Sequence, residues 1–340
     1  MAVVVVLFHA GNDWLWDITV TGMAFFFLSS TFLMAMRHPF DRLTARDYGK
    51  FVARIVSRLY PLHWLGLAIL VAIALCNASI SIDWKATVLN ALLVHAWSPV
   101  HDIHYGISPV TWYMGALLFC YIVYPPLYRL IGQWRLRYKL LLAACLAAVL
   151  AVILYPLDIP GREAVYVNPL SRVLDVTVGI ALVHIWRILK SRYPRVSYRT
   201  ATVIELSVFL LHAAVITLHL TTTFLEPWED VLIWLIPQGA IMLAFVFLHG
   251  QEGAIGRLLS WQPLQWLGGI SFELYVLHFP AFHIYSYMVS PVAAHYGFQI
   301  YELMPWLVWL LLFPMAWAVN RWFTRPVGKV LQQEINRLFP

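Results

Sequence analysis

The chain has 340 residues, 61% of them hydrophobic and only 12% charged. A water-soluble domain carries roughly twice that charged fraction, so the solvent for most of this surface is a lipid bilayer. The net charge of +6 is not a nucleic-acid footprint, because no compact basic domain, finger or aromatic RNA-binding motif accompanies it.

Twenty of the 23 Lys and Arg residues fall in five places: Arg37–Arg58, Arg129–Lys139, Arg187–Arg199, Arg257 and Arg321–Arg337. Long apolar stretches separate these places, and basic loops stay on the cytoplasmic side of a membrane. A spanning helix needs about 20 mainly apolar residues. Segments of that kind are predicted near 18–36, 59–77, 110–131, 139–157, 168–188, 201–220, 230–249, 264–288 and 302–321. The apolar stretch 1–9 covers only about half a bilayer at about 1.5 Å per residue, and reads as the outer half of a first helix whose beginning lies upstream.

Ten spans follow, with both ends of the chain in the cytoplasm. All five basic places then share one side. The opposite loops hold Asp13, Asp17, Asp83, Asp102, Asp158, Glu163, Glu226, Glu229 and Asp230 against Lys85 and Arg162 alone. An eleventh span at 86–97 would move Arg135, Arg137 and Lys139 outside. Residues 78–109 therefore read as an outer loop with a short interfacial or re-entrant helix. The tail from Phe323 to Pro340 reads as an amphipathic helix lying on the inner surface. Cys76, Cys120 and Cys145, in apolar segments without CxxC spacing, read as buried free thiols. The expected fold class is an all-α integral membrane protein, residues 1–340 forming one polytopic domain of ten transmembrane helices around a central cavity.

Five constellations carry polar chemistry. His9 stands at the outer end of the half-helix, before Ala10, Gly11 and Asn12. A neutral imidazole there can take a proton from a hydroxyl; it can equally be an interfacial histidine that reaches water. Arg54 and Arg58, four apart at the mouth of a helix, share a face and can clamp phosphates, although arginines in that position commonly contact lipid headgroups. Glu273 and His278 lie inside an apolar span, where ionisable groups face a bundle interior or a wet cavity, or pair across helices for packing. Arg172 and Asp175 are spaced to neutralise each other, and Gly179 permits close helix packing. From Trp97 to Tyr124 run aromatic residues, including Trp112 and Tyr113, suited to a membrane interface belt or to stacking on sugar rings. His95, His101, Asp102 and His104 lack any metal-ligand helix spacing, and no metal is expected.

Taken in order, VVVVLFHAG (3–11), MAFFFLSSTFLM (23–34), RLYPLHW (58–64), the Trp112, Tyr121 and Pro125 frame, NPLSRVLDVTVG (168–179) and ISFELYVLHFP (270–280) resemble the membrane acyltransferase 3 family. The resemblance covers nearly the whole chain. It implies an O-acyltransferase of the bacterial inner membrane, with acetyl-CoA bound from the cytoplasm and a sugar hydroxyl as acceptor. It assigns the family's first-helix histidine to His9, its arginine pair to Arg54 and Arg58, and its late-helix histidine to His278. Trp112, Tyr113, Arg172, Asp175 and Glu273 would line the cavity or bind substrate. Partners implied are a glycan or lipid-linked saccharide, membrane lipids and polysaccharide synthesis or export machinery, with no nucleic acid.

The chain departs from the family's pattern in several places. The cation usual upstream of the first histidine would precede Met1. The arginine pair is stretched to RxxxR, with Ile55 where an Arg is common. Leu117 replaces an acidic residue, and Arg325 replaces the Glu before the terminal Pro. A transporter or flippase of lipid-linked glycan predicts two pseudo-symmetric halves with broken helices, and no such halves are visible. A non-catalytic partner of a polysaccharide synthase is the remaining alternative.

Overall fold

The computed structural model describes residues 2–9, 16–77, 80–223, 228, 232–297 and 304–339. The expectations on Ala10, Gly11, Asn12, Asp13, the Asp17 side chain, Glu226, Glu229 and Asp230 fall outside the described residues. Every regular element among the described residues is helical. Five helices are long and apolar enough to cross a membrane by length and composition: Ala45–Cys76, Trp112–Ile131, Leu136–Leu154, Tyr198–Thr221 and the continuous run Leu307–Leu338.

Several other predicted spans are shorter or interrupted. Segment 168–188 divides into a 3₁₀ turn, Pro169–Arg172, and the helix Val173–Arg192. Segment 264–288 divides into Gln262–Gly269, Ser271–Ile284 and a π-helical turn at Tyr285–Val289. The break at Ile270 follows two glycines, which hold helical backbone poorly, and the Ser271 hydroxyl caps the Gly268 carbonyl at 2.8 Å. The short helix Trp84–Ala91 has eight residues and is about 12 Å long, too short to cross a bilayer. Asp83 starts it by accepting hydrogen bonds from the Lys85 and Ala86 amides.

The chain forms two compact units that alternate in sequence: Met1–Thr19, Ala45–Leu118 and Leu267–Pro340 make the first, and Val20–Thr44 and Phe119–Trp266 the second. At the centre of the first unit is Ser271–Ile284. Residues from Glu273 to Phe282 are buried around its whole circumference, apart from half-buried Phe279. It packs against Ala2–His9, Ala45–Cys76 and Met304–Val319. Ala45–Cys76 has 32 residues, about 48 Å, and so exceeds the hydrocarbon thickness of about 30 Å; its Arg54 and Arg58 are exposed.

The segment 80–109 is tied to this helix by Tyr60 Oη and Trp64 Nε1, which donate to the Leu92 and Ala91 carbonyls, each at 2.9 Å. Behind them, His63 Nε2 lies 2.9 Å from the Asn90 carbonyl, and Asn90 Nδ2 donates to Thr111 Oγ1 at 2.8 Å.

In the second unit, Val173–Arg192 packs against Leu136–Leu154 and Leu235–Phe247, and the latter also packs against Tyr198–Thr221. At Gly179 the helix Val173–Arg192 meets the segment carrying Thr31 and Phe32. A β-carbon there would stand 2.4 Å from Thr31 Oγ1, so only glycine lets the two backbones meet. Glu205 is fully buried, and its carboxylate accepts hydrogen bonds from the amides of Gly253, Ile255 and Gly256 at 2.9–3.1 Å. One thiol expectation is corrected: Cys120 is buried, but Cys76 and Cys145 lie on the protein surface. In a membrane protein an apolar sequence context marks lipid-facing positions as readily as a packed interior.

Candidate active site

The first unit brings His9 and His278 together. Their rings stack with centroids 5.2 Å apart and planes 27° from parallel. His278 is fully buried, and its Nδ1 lies 2.5 Å from the Tyr275 carbonyl. A carbonyl only accepts, so Nδ1 carries the proton and Nε2 is left with its lone pair. Nε2 has no hydrogen-bond partner among the described residues. A buried, unsatisfied acceptor beside a second imidazole is an arrangement able to receive a proton.

A line of rings leads away from this pair. Tyr275 lies 5.8 Å from His278, Tyr113 lies 5.3 Å from Tyr275, and Trp112 lies 6.3 Å from Tyr113. The Tyr275 hydroxyl donates to the Val110 carbonyl at 2.6 Å, which pins the central helix to the stretch just before Trp112. Trp112 and Tyr113 are both buried, so their rings support the pair from within rather than forming a surface belt; Trp97 is exposed. Glu273 accepts a hydrogen bond from Asn320 Nδ2 at 2.8 Å, joining the central helix to the start of the tail.

Arg54 and Arg58 line a cleft of about 860 Å³, together with Ser57 and Pro61 on their own helix. The facing wall is the tail helix, Arg325–Leu338, which contributes Arg325 and Lys329. Among the described residues no acidic side chain lines the cleft. Arg54 Nη2 donates to Asn336 Oδ1 at 3.1 Å, whereas Arg58, Arg325 and Lys329 make no ion pair among the described residues. Four cations around an open, acid-free space favour a ligand with several phosphates. The cleft floor at Leu62 is one helical turn, about 6 Å, from Gly66. A β-carbon on Gly66 would lie within 4 Å of Val276 and Pro280, two positions before and after His278 on the same helix.

Arg172 and Asp175 belong to the second unit and are both buried. The guanidinium lies 3.9 Å from the Asp175 carboxylate and donates to the Tyr166 carbonyl. It also lies over the rings of Phe27 and Tyr166, at 4.7 and 4.8 Å. The Asp175 backbone carbonyl accepts from Thr31 Oγ1 at 3.2 Å. Among the described residues no group of three His, Cys, Asp or Glu is placed to hold a metal ion.

Sequence reasoning treated Arg325 as a departure from pattern and the tail as an anchor, and so missed Arg325 and Lys329 as cleft residues. Their i,i+4 spacing on a strongly amphipathic helix was the available signal. That the helix folds back against Arg54 and Arg58 is a tertiary fact.

The profile of the acyltransferase domain of the acyltransferase 3 family matches residues 2–324. A protein of Bacillus subtilis strain 168, YrhL, provisionally named a peptidoglycan O-acetyltransferase, is 24% identical over 299 residues, covering 81% of this chain and 46% of that protein. The peptidoglycan O-acetyltransferase OatA of Listeria monocytogenes serovar 1/2a is 27% identical over 203 residues, covering 54% of this chain and 31% of that protein. The chain thus spans less than half the length of these curated relatives. No solved structure matches it.

Proposed function

This chain belongs to the acyltransferase 3 family, and on that premise we propose that it moves an acetyl group from cytoplasmic acetyl-CoA to a hydroxyl of an exported or cell-surface glycan. The names of the two relatives make peptidoglycan the first acceptor to test. In this reading the protein spans a bacterial inner membrane ten times, its basic loops are cytoplasmic, and a passage through the first unit joins donor and acceptor.

One observation carries the reading. A single unit holds both a paired imidazole site, whose His278 Nε2 has no partner among the described residues, and a basic cleft that no described acidic residue lines, and the helix carrying Arg54 and Arg58 packs against the helix carrying His278. Arg58, with Arg54, holds the phosphates of the donor. In this reading the long thioester arm of CoA carries the acetyl group from the cleft toward the imidazoles. His9 accepts the proton of the acceptor hydroxyl, with His278 behind it as an alternative resting place for that proton. The oxygen bonds to the acetyl carbonyl carbon, the carbon–sulfur bond breaks, and the released sulfur takes up the proton as CoA leaves. For Arg172 and Asp175, their mutual pairing and ring contacts support a structural role in their own unit.

The test uses purified full-length protein in nanodiscs with labelled acetyl-CoA and peptidoglycan fragments. The reading expects O-acetylated product, lost in both His9→Ala and Arg58→Gln. Glycan binding without transfer or hydrolysis would instead mark a carrier.

A further inference from the structure

We infer that the tail helix Arg325–Leu338 is the second jaw of the donor site, with Arg325 and Lys329 holding phosphates of acyl-CoA opposite Arg54 and Arg58. The inference rests on the acyl-CoA reading above and adds to it the part of the chain that decides which donors are accepted.

The helix is fastened to the site at three points. At its base, Asn320 donates to buried Glu273 at 2.8 Å. Near its far end, Asn336 Oδ1 accepts from Arg54, and Lys50 Nζ donates to the Phe339 carbonyl at 2.6 Å. A helix serving only as a membrane-surface anchor has no need of the last two bonds, which tie it to the Ala45–Cys76 helix. They hold Arg325 and Lys329, one turn apart, across the cleft from Arg58.

Gly328 lies between the two cations and lines the same space. A β-carbon there would meet nothing within 4 Å. Glycine in a helix interior is unfavourable relative to alanine, and here no close backbone contact requires it. Its effect is to leave the cleft wide at its middle. CoA carries a diphosphate and a ribose 3′-phosphate, together roughly four negative charges near neutral pH, against the four cations of the cleft. Two cations suffice for the diphosphate, so the other pair makes the site selective for the donor bearing the third phosphate.

The experiment measures binding of CoA and of dephospho-CoA, which lacks the 3′-phosphate, to the full chain in nanodiscs of neutral lipid. The variants are Arg58→Gln, the double variant Arg325→Gln/Lys329→Gln, and Gly328→Leu, each checked for helicity and monodispersity. Wild type is expected to prefer CoA over dephospho-CoA by roughly tenfold. The double variant loses that preference, and Gly328→Leu, which fills open space without changing any charge, binds neither nucleotide. A double variant and a Gly328→Leu protein that keep wild-type CoA affinity while Arg58→Gln loses it would overturn the tail assignment and leave the donor reading intact. Wild type that binds no CoA would remove both. A parallel arm repeats the measurement with phosphatidylglycerol vesicles. Weaker vesicle binding in the double variant, with CoA binding unchanged, would show the two cations to be lipid anchors and also overturn the inference.

Discussion

The imidazole of His278 stacks on that of His9 with ring centroids 5.2 Å apart, and the buried residue presents its unprotonated nitrogen without a partner. Two imidazolium ions at this separation repel strongly in a medium of low dielectric constant, so at most one of the pair is charged. A proton arriving on either ring therefore belongs to the pair.

Removing either ring has different consequences. His9→Ala removes the group proposed to accept the hydroxyl proton, and transfer falls by about 10²- to 10⁴-fold. His278→Gln keeps a polar side chain of similar reach but no base, and costs less than His9→Ala. In both variants CoA binding, read by calorimetry, stays at the wild-type value because the phosphates are held elsewhere. A His9→Ala protein with undiminished O-acetyl transfer removes His9 from the mechanism.

Gly179 tolerates no side chain. A β-carbon at this position would stand 2.4 Å from Thr31 Oγ1 and 3.0 Å from the Phe32 amide nitrogen. Gly179→Ala is expected to cost about 1–3 kcal/mol, lowering the melting temperature in detergent. Adding Thr31→Ala removes the nearest atom and recovers part of the loss. Additive losses in the double variant would show that the two sites do not share a contact.

Glu205 organises the loop around Gly253 through three amide hydrogen bonds to one carboxylate. Glu205→Ala leaves those amides without their acceptor and costs at least about 3 kcal/mol. Glu205→Gln retains one acceptor oxygen and loses less. Thermal melts of the purified variants rank as wild type, then Gln, then Ala; an Ala variant melting with wild type excludes the carboxylate as the loop's anchor.

Stability should also depend on pH through the segment that carries His95. Burial lowers the His95 imidazole from the ordinary 6.5 to about 3, with smaller contributions from neighbouring His63 and His104. The unfolded chain takes up this proton as pH falls through 6.5, whereas the folded chain refuses it until about 3. Stability is therefore fully present above pH 6.5 and declines steadily below it. Melting temperatures at pH 7.5 and pH 5 are expected to differ in that direction, with a smaller difference in His95→Asn. Equal melting temperatures in the wild-type protein at the two values would contradict it.

The apolar content and the clustering of Arg and Lys were enough to determine that this chain is helical and membrane-spanning, because lipid leaves backbone amides no partners except one another. They also placed the short Trp84–Ala91 helix, the amphipathic tail and the Arg172–Asp175 pair, all of which depend on local spacing. The meeting of His9 with His278, and of Arg54 and Arg58 with Arg325 and Lys329, was decided only by tertiary structure. Each joins residues more than 250 positions apart in sequence, where periodicity carries no information about which faces meet. The interruption at Ile270 was likewise invisible to hydropathy, since two glycines keep a stretch apolar while weakening its helix. Packing of the Ser271–Ile284 helix on every side then chose the partners, because a helix apolar all round has no preferred face until its neighbours supply one.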